Sequence, residues 1–359
     1  MDTKTFGALP YEIQEAVIPF LRQQDLAICT RVCRAWNAIF HPALWRHVED
    51  RSEAAAEQSE EQTIWMEKFI KCARAGALKN NGHLIQSLRL VADKIRFCRF
   101  LAYCPPTFPQ LTSVWIDGVH NGEEDDLADF LDLCTAGLKE VVYGLRDDKW
   151  QAFQFGFTAA EALTKHAATL EVFRLEGDYR SDGDPIDHLL CSLPNLKELS
   201  FVGNCVHDRG GFMNAREIVS SEWVCTNLEV FGCGINSIFR PELEEEIANE
   251  SKSAKEESRQ RSIDLQRQIY SQLARFTKLR KLSLGFPAEE LMYFSKEQYR
   301  QRDGLAMTLE SGLDLLKGLK DLQEVELYYM DVGIGNPAEE AWVAENWPKA
   351  HIGRIIYES

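Results

Sequence analysis

The chain has 359 residues, 45% of them hydrophobic, and a formal net charge of -16 from 40 basic and 56 acidic side chains. That length predicts two or three domain-sized units, with apolar content enough for a large core. The charge balance argues against a nucleic-acid or anionic-membrane surface, which needs clustered Lys and Arg, and it permits a basic partner.

Residues 6–48 read as three short helical patterns. Leu9-Pro10 opens the first, because proline at the first helical position loses no hydrogen bond that the helix needs. Ile13, Val17 and Leu21 follow at helical spacing. Pro19 lies inside that pattern, so the helix is expected to end or kink there, at a cost of roughly 3 kcal/mol if it continued. Asp25 reads as the N-cap of a second helix whose apolar stripe is Leu26, Cys29, Val32, Cys33, Trp36, Ile39 and Phe40. His41-Pro42 is expected to stop it and to start a third helix carrying Leu44 and Trp45. A bundle this small has too little interior for all of these side chains. The surplus, two tryptophans included, either forms an exposed partner surface or folds against the rest of the chain.

Leu9-Pro10, Glu12-Ile13, Leu21, Asp25-Leu26, Val32-Cys33-Arg34, Trp36, Pro42 and Leu44-Trp45-Arg46 resemble an F-box in order and spacing. The resemblance implies a three-helix patch that docks on a Skp-family adaptor, and through it on the cullin and RING subunits of an SCF ubiquitin ligase. It would assign the adaptor contact to Leu9, Pro10, Ile13, Leu21, Leu26, Val32, Cys33, Trp36, Leu44 and Trp45.

Residues 49–62 are acidic and lack bulky apolar side chains, which predicts an exposed linker. Helical periodicity returns over 64–78. From there one phrase repeats: apolar, two variable, apolar, one variable, apolar. Its copies begin at Ile85, Leu111, Leu138, Leu170, Leu196, Leu228, Leu279 and Leu322, with a weak last one at Ile352. The early copies lie about 26 to 32 residues apart, at or just above a leucine-rich-repeat period. Helical patterns fill the intervals at 127–134, 159–168, 186–193, 263–276 and 307–319. One strand and one helix per repeat predict an α/β architecture: the three-helix F-box followed by an irregular leucine-rich-repeat solenoid over 63–359 with a curved parallel sheet. Asn204 and Asn236, and Asp93 and Asp178, are expected to bond backbone at the turn after the strand.

The step from Leu228 to Leu279 is too long for one repeat. Its polar stretch, about 241–268, reads as an inserted surface loop or a charged helix, either solvated or an acidic lip for a basic partner. A second insertion is expected near 291–304. The acidic run Glu123–Asp126 lacks calcium-loop spacing and reads as a helix start, where negative charge suits the dipole.

Alternation along each strand puts the variable positions on the ligand-facing side. Trp115 and Tyr328 are aromatic anchor candidates there. Arg89 and Arg174 are candidates to grip a carboxylate or phosphate, and Glu326 is a further contact candidate. The ten cysteines show no CxxC pair, so reduced buried thiols in the cytoplasm or nucleus are expected rather than zinc or redox chemistry. No apolar run is long enough for a membrane span, and no signal peptide is expected. Nucleophile, phosphate-loop and zincin motifs are absent, and isolated histidines such as His166 and His188 read as surface or helix-end residues. A receptor without catalysis or cofactor is therefore expected, binding an adaptor and an unknown target. The alternative is a repeat scaffold unconnected to ubiquitin transfer.

Overall fold

The phrase counted in the sequence becomes the register of one sheet. In the computed structural model, which describes residues 10–49, 71–91, 100–117, 123–144, 153–176, 179–180, 184–202, 212–241, 252–285, 304–328 and 336–355, every copy supplies a strand. Its strands are β2 (Ser87–Val91), β3 (Ser113–Asp117), β4 (Glu140–Gly144), β6 (Val172–Glu176), β8 (Glu198–Val202), β10 (Val230–Asn236), β11 (Lys281–Gly285), β12 (Glu324–Tyr328) and β13 (His351–Ile355). Four short pieces were not expected from the phrase: β1 (His47–Glu49), β5 (Phe153–Gln154), β7 (Tyr179–Arg180) and β9 (Phe212–Asn214). The main order is β1-β2-β3-β4-β6-β8-β10-β11-β12-β13.

Neighbours are parallel and repeat positions stay aligned. Leu88 pairs with Val114, Val141 with Phe173, Phe173 with Leu199, Leu199 with Phe231, and Phe231 with Leu282. Val325 continues the row to Ile352. Below the strands a backbone ladder runs through the turns: Glu171 N donates to Lys139 O at 2.9 Å, Lys197 N to Glu171 O at 2.7 Å and Glu229 N to Lys197 O at 2.7 Å. Each repeat thus satisfies the exposed backbone of the previous one, which a solenoid requires.

The inward row is sealed. Leu88, Val114, Val141, Phe173, Leu199, Phe231, Leu282 and Val325 are all fully buried. Phe155, Phe173 and Phe201 meet edge-on or tilted, with centroids 5.3 to 5.8 Å apart, and Trp223 stacks on Phe276 at 5.4 Å. Behind them pack α5 (Glu124–Asp132), α6 (Phe157–Thr164), α7 (Asp184–Ser192) and α8 (Ala215–Ser220). The acidic run does open a helix: Glu124, Asp125 and Asp126 form the first turn of α5. Glu124 Oε1 also accepts from Ala159 N at 3.1 Å, so one carboxylate tends the starts of two helices.

Of the two readings of the stretch around 241–268, its described part takes the charged helix: it contributes to α9 (Lys252–Leu273), continuous with the helix expected over 263–276. Its C-terminal turns bury Ile269, Tyr270 and Leu273 in the core, and that anchor supports the solvated turns before it. Other expectations change. The helix expected over 307–319 is instead a 3-10 turn at Leu313–Gly318, entered through Gly312 at φ 124. A positive φ there interrupts any α-helix, and glycine accepts it. His166 stands at a helix end, just past the C-cap of α6, but it is buried and not at the surface: its Nδ1 lies 3.3 Å from Leu138 N, and burial pushes its pKa down, favouring the neutral ring. His188 is half-buried against Phe157. The turn positions Asp93, Asp178 and Asn204, the linker over 50–62 and nearly all of the 291–304 insertion lie outside the described residues. Asn236 ends β10, and its Oδ1 accepts from Ser237 Oγ at 3.1 Å.

Candidate adaptor and target interfaces

The front unit consists of α1 (Tyr11–Val17), a 3-10 turn at Ile18–Phe20, α2 (Gln23–Cys29) and α3 (Arg34–Arg46). Pro19 does end the first helix, converting its last turn to 3-10 geometry. The second apolar stripe proves to be two helices, broken between Thr30 and Cys33. Thr30 Oγ1 donates to Ala27 O at 2.9 Å and Asn37 Nδ2 to Thr30 O at 2.9 Å, so the break carries its own backbone partners. Pro42 does not start a third helix. It sits within α3, which runs unbroken to Arg46. Asp25 is not the N-cap but the third residue of α2; its Oδ2 accepts from Arg22 N at 3.2 Å and pairs with Arg22 Nε at 3.0 Å. That hydrogen bonding lowers the Asp25 pKa.

The interior of this unit is small: Leu26, Phe40 and Ala43 are buried, with Ile18, Leu21, Cys29, Trp36, Ile39 and Leu44 packed around them. Trp36 meets Phe40 edge-on at 5.6 Å. Large apolar side chains remain outside: Phe20 is 86% exposed, Ile28 62%, Ile13 49% and Val32 39%. Pro10 and Cys33 are exposed with them. Of the ten residues assigned to the adaptor contact, Pro10, Ile13, Val32 and Cys33 therefore lie on the open surface. Leu21, Trp36 and Leu44 are half-buried around the small core, and Leu26 is inside it. Trp45 packs instead against the solenoid core, beside Val48. Leu9 lies outside the described residues. Phe20 and Ile28 were missed although Phe20 lies three residues after Val17 and Ile28 four before Val32; that spacing was the available signal.

The unit is joined to the solenoid by more than the chain. β1 adds itself to β2 in parallel, His47 opposite Ser87 and Glu49 opposite Arg89. Gln86 N donates to Arg46 O at 2.8 Å, extending the turn ladder into the end of α3. Gln23 Nε2 donates to His47 O at 2.5 Å, and His41 Nε2 lies 2.8 Å from Asn81 Oδ1 on α4 (Ala77–Asn81).

The outward face of the sheet holds the target-binding candidates. Arg89 lies over the Trp115 ring, 4.1 Å from its centroid. Arg174 forks onto Glu198, through Nε to Oε1 and NH2 to Oε2 (2.8 Å), and approaches Glu140 at 4.0 Å. Its pKa is raised chiefly by the hydrogen bond to Glu198. Glu326 accepts from Lys281 Nζ at 2.9 Å and from Ser283 Oγ at 2.5 Å. Burial pulls Lys281 down, but Glu326 and Glu324 outweigh it and hold the ammonium charged. Tyr328 ends β12 in register with Gly285. Arg174 and Glu326 are thus held by partners within the sheet.

Among the described residues no group of three or more His, Cys, Asp or Glu is placed to hold a metal ion, and no helix is long and apolar enough to cross a membrane. Burial pushes the Cys104 and Cys225 thiols each up to about 12, which disfavours the reactive thiolate there.

This geometry defines an F-box-like helical unit set on the edge of a repeat sheet. In keeping with it, residues 6–51 match the F-box-like family. F-box domains generally bind Skp-family adaptors, so the front unit suggests an adaptor-binding role. Among solved structures the chain is similar to a leucine-rich-repeat protein of Leptospira interrogans, at 13% identity over 75% of each chain with a TM-score of 0.17. No curated protein matches the chain.

Proposed function

We propose that this protein is the non-catalytic substrate receptor of an SCF-type ubiquitin ligase, acting in the cytoplasm or nucleus. In this reading the front unit docks a Skp-family adaptor, and through it the cullin and RING subunits, while the outward sheet face takes the target. The observation that carries it is the exposed apolar set Ile13, Phe20, Ile28 and Val32 around a core of only a few buried side chains. Apolar surface gathered on one small unit marks a partner site. A receptor of this kind does no chemistry itself; it raises the local concentration of target at the ubiquitin-charged enzyme. The attachment of β1 to β2, and of the end of α3 to Gln86, supports the reading, because it holds the two binding faces in a set relation. The test is co-purification with a Skp-family adaptor. Wild type should retain the adaptor, and Ile28→Asp/Val32→Asp should lose it with the fold intact. Equal retention by both would leave the alternative, a repeat scaffold outside ubiquitin transfer.

A further inference from the structure

The chain is acidic overall, yet one stretch of the front unit carries no acid. Between Asp25 and Glu49 there is no aspartate or glutamate, while Arg31, Arg34 and Arg46 are all exposed. Among the described residues Arg31 and Arg34 make no ion pair, whereas Arg22 on the same unit is held by Asp25. The two unpaired guanidinium groups stand among the exposed apolar side chains. Arg31 N donates to Ile28 O at 3.0 Å and Val32 N to Cys29 O at 3.2 Å. That 3-10 geometry eclipses side chains three apart, so Ile28 and Arg31 share one face. Val32, Cys33 and Arg34 follow directly, all exposed. The corner is already fixed from within, because Thr30 and Asn37 hold its backbone, so little ordering is left for a partner to impose.

We infer that the corner between α2 and α3 takes an acidic segment of the adaptor, with apolar side chains over Ile28 and Val32 and carboxylates at Arg31 and Arg34. The inference rests on the receptor reading above for the identity of the partner. Its chemistry rests on two separate features of the corner: apolar surface left in water, 62% exposed at Ile28 and 39% at Val32, and cations that the chain itself leaves unpaired. A guanidinium presents a fork of donors that matches a carboxylate, so arginine at both places favours an acid over a neutral amide. A basic segment is disfavoured there by like-charge repulsion. Charge pairs at the rim of an apolar contact act chiefly on the rate of association and on its salt dependence.

The test uses the whole chain and a fluorescein-labelled helical peptide whose leucines recur at helical spacing between glutamates. Its counterpart has glutamine for every glutamate. Binding is read by anisotropy near physiological ionic strength, where screening limits charge effects to about 8 Å. The glutamate peptide should bind about tenfold more tightly than the glutamine one, against the repulsion of a net charge of -16. Arg31→Gln/Arg34→Gln should remove that advantage, about threefold for each exposed pair, and leave the glutamine peptide unaffected. Lys349→Gln, an exposed cation just before β13 at the far end of the sheet, should change neither. In wild type, about 1 M salt should also abolish the advantage, a reading that needs no variant. Equal binding of the two peptides would overturn the inference. So would an advantage that survives Arg31→Gln/Arg34→Gln, or one that falls as far with Lys349→Gln. Melting temperatures show that the variants are folded, and adaptor capture is measured on the same preparations. Glutamate selectivity without adaptor capture sinks the receptor reading alone; adaptor capture without glutamate selectivity sinks this inference alone.

Discussion

The front unit and the repeat sheet solve the burial problem differently. In the sheet, each inward residue lies between two neighbours of the same row, so Phe173, Leu199 and Phe231 are sealed by the chain itself. The front unit has no such neighbours on its outer side. Leu26, Phe40 and Ala43 are covered, while Phe20 and Ile28 remain in water. Apolar side chains from one chain therefore divide into those that make the fold and those left over for contact. The division follows the number of flanking elements, not hydrophobicity.

The largest expected effect tests the sealed half of that comparison. Phe173→Ala removes a ring in edge or tilted contact with Tyr143, Phe155 and Phe201 and should cost about 3–5 kcal/mol, read by chemical denaturation. A loss below about 1 kcal/mol would mean that the row is not a continuous core. On the front unit, Ile28→Asp should shift stability by no more than about 0.5 kcal/mol, because most of its side chain is already exposed. A large fall in its melting temperature would place Ile28 in the fold and remove it from the contact face.

A pH effect sharpens the comparison on the helical side of the solenoid. Burial, then Asp184 and Asp187, push the Glu217 carboxyl on α8 up to about 7. Its folded value lies above the ordinary one, so between about 4.5 and 7 the folded protein holds a proton that the unfolded chain has released. Stability falls as pH rises through that window, and the penalty is complete above it. Glu217→Gln keeps the neutral form, so its melting temperature should exceed that of wild type at pH 8 and match it at pH 4. The same difference at both would rule out titration at this residue. Trp115→Ala removes one partly exposed cation-ring contact, worth about 0.5–1 kcal/mol, and should weaken target binding more than stability. A large stability loss would make Trp115 a structural residue.

Much of the sheet was legible because its strands share one phrase and its inward rows repeat it. The breaks were less so. Nothing in the stripe from Leu26 to Phe40 marks the turn at Thr30–Cys33, since apolar spacing survives a local interruption; the side chains of Thr30 and Asn37 decide it. Pro42 looked like a boundary, yet α3 continues through it with the helix packed on both sides, against the small core and the solenoid. β1 has only three residues and no phrase of its own, so its pairing was invisible until β2 was in place. The candidates Arg174 and Glu326 were legible as outward positions. Their engagement with Glu198 and Lys281 was not, because those contacts depend on which repeats become neighbours.

The most direct measurement of the central claim is hydrogen-deuterium exchange of the whole chain with and without a Skp-family adaptor. The account predicts new protection over residues 11–33, where Ile13, Phe20, Ile28 and Val32 lie exposed, with exchange in β3 to β13 unchanged. Protection absent from 11–33, or confined to the sheet, would contradict it.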